Sequence, residues 1–136
     1  MDWLPEKNLL PSPCTDIAAA LWASSMVILA HGTEPDPIFF YANRTALTLF
    51  EIAAEDLIRM PSRLSAEPME RDERSLFLRA VAERNHISDY SGIRISRAGN
   101  RFRIAQATVW NLLDAGGTIH GQAACFGQWT PLERTP

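Results

Sequence analysis

From Tyr90 to Phe126 apolar and polar residues alternate with the period of extended chain, interrupted by two glycine-bearing turns. Strands are predicted over residues 87–97, 101–113 and 118–129, turning at Arg97-Ala98-Gly99-Asn100 and Asp114-Ala115-Gly116-Gly117. In the middle strand, strict alternation places Phe102, Ile104, Gln106, Thr108, Trp110 and Leu112 on one face. That face is apolar at both ends with an amide and a hydroxyl at its centre, which suits a core or a pocket. Arg103, Ala105, Ala107, Val109 and Asn111 take the other face, and their mostly small side chains would let a helix or a second subunit lie close.

Upstream the period changes. Ser12-Pro13 reads as a helix start, serine as N-cap and proline at the first helical position, with Asp16 favoured by the dipole in the first turn. Ile17 to Ala23 is apolar nearly all round, so this helix needs a partner: the alanine-rich face of the sheet or the same helix of a second chain. Met26 to His31 and Ile38 to Ala42 read as a hairpin around the turn Gly32 to Pro37. Asn43 then caps a helix with Ala46, Leu47 and Phe50 on one face, and residues 54–58 make a further short turn of helix. After a loop over 61–68, a longer helix is expected over 69–84 with Asn85 as its C-terminal cap. Met69, Leu76, Phe77, Ala80 and Val81 are assigned inward; Glu70, Arg71, Asp72, Glu73, Arg74 and Arg79 form a solvated face. The order of helix, two strands, several helices and three strands is α+β, with an antiparallel sheet of about five strands, helices on one face and an extra N-terminal helix. Residues 1–25 are read as an extension carrying that helix, 26–130 as the domain and 131–136 as a tail.

The 136 residues are enough for one domain with an ordinary core. At 46% hydrophobic and with no apolar run near the roughly 18 residues of a membrane span, no membrane association is expected. Met1 to Pro13 lacks the apolar stretch of a secretory signal, so a cytoplasmic location is expected. Cys14 and Cys125 stand far apart with no C-x-x-C spacing, which argues against a zinc site, a redox dithiol or a disulfide framework. A net charge of −3, with acidic residues interleaved among the basic ones, does not suit a nucleic-acid partner.

Catalytic signatures are missing: no G-x-S-x-G, H-E-x-x-H, Walker loop or dinucleotide fingerprint occurs, and His31, His86 and His120 have no metal-ligand spacing. Gln106 and Thr108 draw attention because burying them costs a few kcal/mol unless something pairs with them. That partner is either helix backbone, water or Tyr90, or a ligand in an apolar pocket with a few convergent polar groups. Tyr41, Arg63 and Arg94 could address an anionic or carbonyl group, and Trp110 should stand nearest any ligand. The candidate ligand contacts are therefore Tyr41, Arg63, Phe102, Ile104, Gln106, Thr108 and Trp110. Two other readings stay open. One is a small enzyme acting on an aromatic or acyl substrate with His120 or Glu67 as base; the other is an interaction domain with a solid interior.

The string F-F-Y-A-N-R-T-A-L-T-L-F at Phe39 to Phe50, followed by A-A-E-D-L-I, resembles the PAS domain. More specifically, I-L-A-H-G at Ile28 to Gly32, P-S-R-L-S-A-E-P at Pro61 to Pro68, D-Y-S-G-I-R-I-S at Asp89 to Ser96 and R-F-R-I-A-Q-A-T-V-W-N at Arg101 to Asn111 are similar to the PAS-related MEKHLA domain. That domain occurs at the C-terminus of certain plant homeodomain-zipper regulators and as small free-standing bacterial proteins. The resemblance implies a PAS-like sensory or interaction module, non-enzymatic, holding a small apolar or aromatic ligand between sheet and helices. It also implies a homodimer or a protein partner engaged through the N-terminal helix and the outer sheet face. Flavin and haem stay open as cofactors, the latter through His86. Flavin-binding light-oxygen-voltage domains carry N-C-R-F-L-Q-x-P, whose cysteine bonds to the flavin; at the loosely corresponding position stands Ser62, so no covalent photo-adduct is expected.

Overall fold

The computed structural model describes residues 13–133. Its elements in order are α1 (Pro13–Ala23), β1 (Val27–His31), β2 (Phe39–Ala42), α2 (Arg44–Phe50), α3 (Ala54–Leu57), a 3-10 turn (Ser62–Ser65), α4 (Pro68–Arg84), β3 (His86–Ile95), β4 (Arg101–Leu113), β5 (Ile119–Phe126) and β6 (Gln128–Pro131). The strands make one antiparallel sheet ordered β2-β1-β5-β4-β3, with β6 paired to β4. The α+β expectation holds, and the last predicted strand is two, divided at Gly127. The proposed N-cap Ser12 lies outside the described residues.

Asn43 explains why the first half of the chain folds as it does. Its side-chain oxygen accepts from the backbone N–H of Ala46, capping α2, and also from that of Ile28 on β1. Its amide nitrogen donates to Leu21 O at the end of α1 and to Met26 O at the start of β1, at 2.9 and 2.8 Å. One fully buried amide thus fixes the end of α1, β1 and α2 against each other. At the far end of the helical segment, Asn85 closes α4 with φ +71, the left-handed cap expected there.

The core lies between the sheet and α2, α3 and the loop segments, built from Val27, Phe39, Ala46, Phe50, Leu57, Phe102, Ile104 and Phe126. Phe50 meets Phe102 edge to face at 5.2 Å, and Phe126 meets Trp129 in the same manner at 6.0 Å. Helix α1 contributes little burial: Ile17, Leu21 and Trp22 remain 58, 40 and 43% exposed.

Strict alternation fails in β4, and the reason is local. Between the pairs Ile87↔Val109 and Tyr90↔Ala107, β3 carries one extra residue; between Tyr90↔Ala107 and Gly92↔Ile104, β4 carries one. Asp89 and Gln106 absorb these bulges with φ of +61 and +55. An extra residue flips every side chain beyond it to the opposite face. Phe102 and Ile104 therefore point inward, but beyond the bulge it is Ala107, Val109 and Asn111 that are buried. Gln106 is exposed, Thr108 and Trp110 lie on the outer face, and the predicted even-numbered face does not exist as a unit.

The face of α4 also differs from expectation. Arg74 is buried and Leu78 lines the interior, while Leu76 is 64% exposed. The inward positions are Arg74, Phe77, Leu78 and Val81, a regular i, i+3, i+4, i+7 stripe that includes a charged residue. Assigning Arg74 to the solvated run followed its charge rather than its position.

Candidate functional site

Polar side chains converge beneath the inner face of the sheet. His31 on β1 places Nδ1 2.7 Å from Ser62 Oγ and Nε2 3.1 Å from Gln122 Oε1 on β5. Arg74 Nη2 donates to the same Ser62 Oγ at 2.6 Å. Gln122 Nε2 donates to Leu78 O of α4 and to Asn111 Oδ1 of β4. Asn111 Nδ2 in turn donates to Val81 O, Ala82 O and Asn85 Oδ1.

The donors and acceptors run in one direction. Because Gln122 presents its oxygen to Nε2, that ring nitrogen carries the proton; Nδ1 then accepts from the Ser62 hydroxyl, which itself accepts from Arg74. His31 is neutral in this arrangement, and burial, with a smaller contribution from the Arg74 charge, depresses its pKa below 6.5. The network joins β1, β4, β5, the 3-10 turn and α4.

A second guanidinium approaches from β3. Arg94, 8% exposed, donates to Ile93 O and to the Tyr90 hydroxyl, and stacks over the Tyr90 ring at 5.6 Å. Tyr90 lies flat against Phe77 at 3.7 Å and passes its own proton toward Glu73 at the surface. Burial, then the neighbouring Arg94 charge, lowers the Arg74 pKa to about 10, still cationic at neutral pH.

Between these groups lies a cavity of about 70 Å³, walled by Leu29, Phe39, Phe50, Ile104, Val109 and Phe126 and edged by His31, Arg74, Arg94 and Gln122. Pockets that enclose ligands of drug size and above run to about 300–1,000 Å³, several times larger. Flavin and haem are both too large for the cavity at this volume. His86, the haem-ligand candidate, is exposed at the start of β3.

Of the predicted contacts, Ile104 lines this cavity, and Phe102 packs in the adjoining core against Phe50. Arg63 is at the surface, paired with Asp36 at 3.2 Å. Gln106 accepts from Gln128 Nε2 in solvent. Tyr41 and Trp110 stand together on the outer face, in an apolar hollow with Leu21, Ile28, Phe40 and Leu112. Thr108 lies on that outer face opposite Cys125. The enzyme reading's bases are elsewhere: His120 pairs with Asp114 at 2.9 Å in solvent, and Glu67 reaches Arg101 at 3.6 Å.

Sequence reasoning named Arg94 and Tyr90 but passed over His31, Ser62, Arg74, Asn111 and Gln122. Two signals were available. Arg74 falls on the helical stripe of Phe77, Leu78 and Val81, and His31 ends an apolar strand with an inward neighbour two positions before it, Leu29.

This order of helices and strands, with the small cleft under a bulged antiparallel sheet, is the PAS fold. The PAS domain of a protein from Colwellia psychrerythraea superposes with a TM-score of 0.72 at 14% identity, covering 82% of this chain and 92% of that one. An RNA-binding light-oxygen-voltage receptor gives 0.71 at 19% identity, over 92% of this chain and 36% of the receptor. A light-oxygen-voltage domain solved with a flavin analogue gives 0.67 at 17%, over 87% and 85%. Within that fold the chain belongs to the MEKHLA domain family, whose model matches residues 4–131. It is 29% identical over 115 residues to the homeobox-leucine zipper protein HOX10 of Oryza sativa, in both subspecies indica and japonica. The match covers 81% of this chain and 13% of the length of those plant relatives.

Among the described residues, no helix is long and apolar enough to cross a membrane, and no group of His, Cys, Asp and Glu could hold a metal ion.

Proposed function

We propose that this MEKHLA domain is a sensory module that holds a small ligand between the sheet and α4 and signals by changing how its outer sheet face and α1 pack on a second copy or another protein. The observation that carries the reading is the interior cleft, where apolar walls meet His31, Arg74, Arg94 and Gln122. Few convergent polar groups on an apolar wall are what a ligand pocket requires.

The strands supply the route outward. Along β1, β4 and β5 consecutive residues alternate between faces: Leu29, Val109 and Ala124 line the cleft, while Ile28, Trp110 and Cys125 line the outer hollow. Displacing an inner residue shifts its outer neighbour, so occupancy of the cleft biases what the outer face presents.

Ala124→Val tests the cleft. It adds two methyl groups on the inner face opposite Val109 and beside Leu29. Native mass spectrometry of the parent chain should show a bound small molecule, and the variant should fold but lose it. A parent chain that carries no adduct after incubation with a fragment library would refute ligand holding. An adduct retained unchanged by Ala124→Val would place it somewhere other than this cleft.

A further inference from the structure

The inner cleft has an uncompensated charge. Arg74 and Arg94 are each 8% exposed and line the same cavity. A guanidinium has five N–H donors, so the pair presents ten, of which three find protein acceptors: Ser62 Oγ, Ile93 O and the Tyr90 hydroxyl. Among the described residues no carboxylate pairs with either. Glu73 is exposed and accepts from Tyr90; Asp36, which acts on Arg74 from a distance, is tied to Arg63 at the surface. Buried cations are ordinarily paired, because taking a charge out of water without a counter-charge is costly. Two of them set side by side also repel each other.

Resting on the ligand-holding reading above, we propose that the cleft takes a short-chain carboxylic acid as its anion, with the carboxylate between Arg74 and Arg94 and the alkyl end against Phe50, Ile104 and Phe126. The planar guanidinium matches a carboxylate with two parallel donors, which Lys could not do. Size sets the length of the tail. A cavity of about 70 Å³ is roughly half of one that accepts the six carbons of benzene, which by the same filling leaves room for about three non-hydrogen atoms. Formate matches that count and acetate and propionate exceed it by one and two atoms, so only the shortest tails are admitted. Inorganic phosphate would supply charge but leave the apolar wall without a partner. The neutral His31 with its N–H turned to Gln122 adds no charge of its own, so the two arginines set the sign of the site.

The test uses the full chain, sodium propionate, propionamide as its uncharged counterpart and inorganic phosphate, all at matched ionic strength in sodium chloride. By calorimetry propionate should bind at least about tenfold more tightly than propionamide or phosphate, since charge-assisted bonds differ from neutral ones by about that much. Arg74→Met and Arg94→Met should each weaken propionate at least about tenfold. Arg94→Lys, which keeps the charge and is the least disruptive of the three, should still weaken it severalfold by removing the planar fork. Equal affinity for propionate and propionamide, preference for phosphate, or indifference to all three variants would overturn the anion assignment and leave ligand holding intact, provided Ala124→Val still abolishes binding. Failure of all three probes to bind would overturn the carboxylic acid assignment alone, since ligand holding is decided separately by the fragment-library adduct.

Discussion

The two faces of the sheet each depart from the ordinary rule of apolar inside and polar outside. The inner face carries His31, Gln122 and Asn111 in a directional chain of hydrogen bonds with Arg94 buried nearby, while the outer face leaves Phe40 half exposed beside Tyr41 and Trp110. Exposed single hydrophobics need no explanation, but a clustered apolar hollow opposite a buried polar network does. On the proposed reading each face carries what its neighbour must complement, a small ligand inside and a macromolecular surface outside. The five-residue interval from Gln106 to Asn111 shows how thin the division is, since both are amides on β4 and only one is buried.

That pair offers the largest contrast. Asn111→Ala removes donors to Val81 O, Ala82 O and Asn85 Oδ1 and strands a buried N–H of Gln122, so it should cost about 2–4 kcal/mol of unfolding free energy. Gln106→Ala removes one solvent-exposed bond to Gln128 and should stay within about 0.5 kcal/mol. Urea unfolding curves of the two variants measure the difference. Equal costs would mean that the bulge does not divide the strand as described.

His31 gives the next effect, through pH. Its folded pKa lies below the unfolded 6.5, so the unfolded chain binds the proton more readily. Stability is then complete above about 6.5 and declines as pH falls from there toward the folded value. The groups facing the ring are Ser62, Gln122, Arg74 and, more distantly, Glu34, and burial outweighs them. Melting temperature should fall on acidification below that point, and His31→Asn should flatten the slope there. A parent chain whose stability rises across the same interval would show that His31 is held protonated.

The element order, both caps of the central segment and the sheet were legible because each rests on a local signal: Asn43 before an alanine- and leucine-rich helix, Asn85 after one, glycine turns between alternating runs. The face of β4 was not. A bulge leaves no mark in a sequence whose alternation looks continuous, and Gln106 is a residue that seldom adopts positive φ. Every residue beyond it was assigned to the wrong side, which moved Thr108 and Trp110 into the expected pocket and Asn111 out of it. The interior cleft was hidden for a second reason: its polar members come from β1, the 3-10 turn, α4, β3 and β5, brought together only by packing. Arg94 was named, yet nothing local distinguished it from Arg63.

The smallest expected change in stability tests the outer face. Phe40 is 50% exposed and belongs to a hollow of about 310 Å³ with Leu21, Ile28, Tyr41, Trp110 and Leu112. If the ring serves contact with another surface rather than the core of this chain, Phe40→Ser removes little that folding depends on, and the urea midpoint should move by no more than about 0.5 kcal/mol. Association should respond far more, because aromatic anchors at the centre of an interface carry most of its energy. Light scattering across a concentration series should show the parent self-associating and the variant remaining monomeric. Where another protein is the partner, affinity for it should fall instead. A midpoint lowered by more than about 1 kcal/mol would mean that Phe40 packs as core. The two faces would then differ in polarity alone, with no division of labour between a ligand inside and a partner outside.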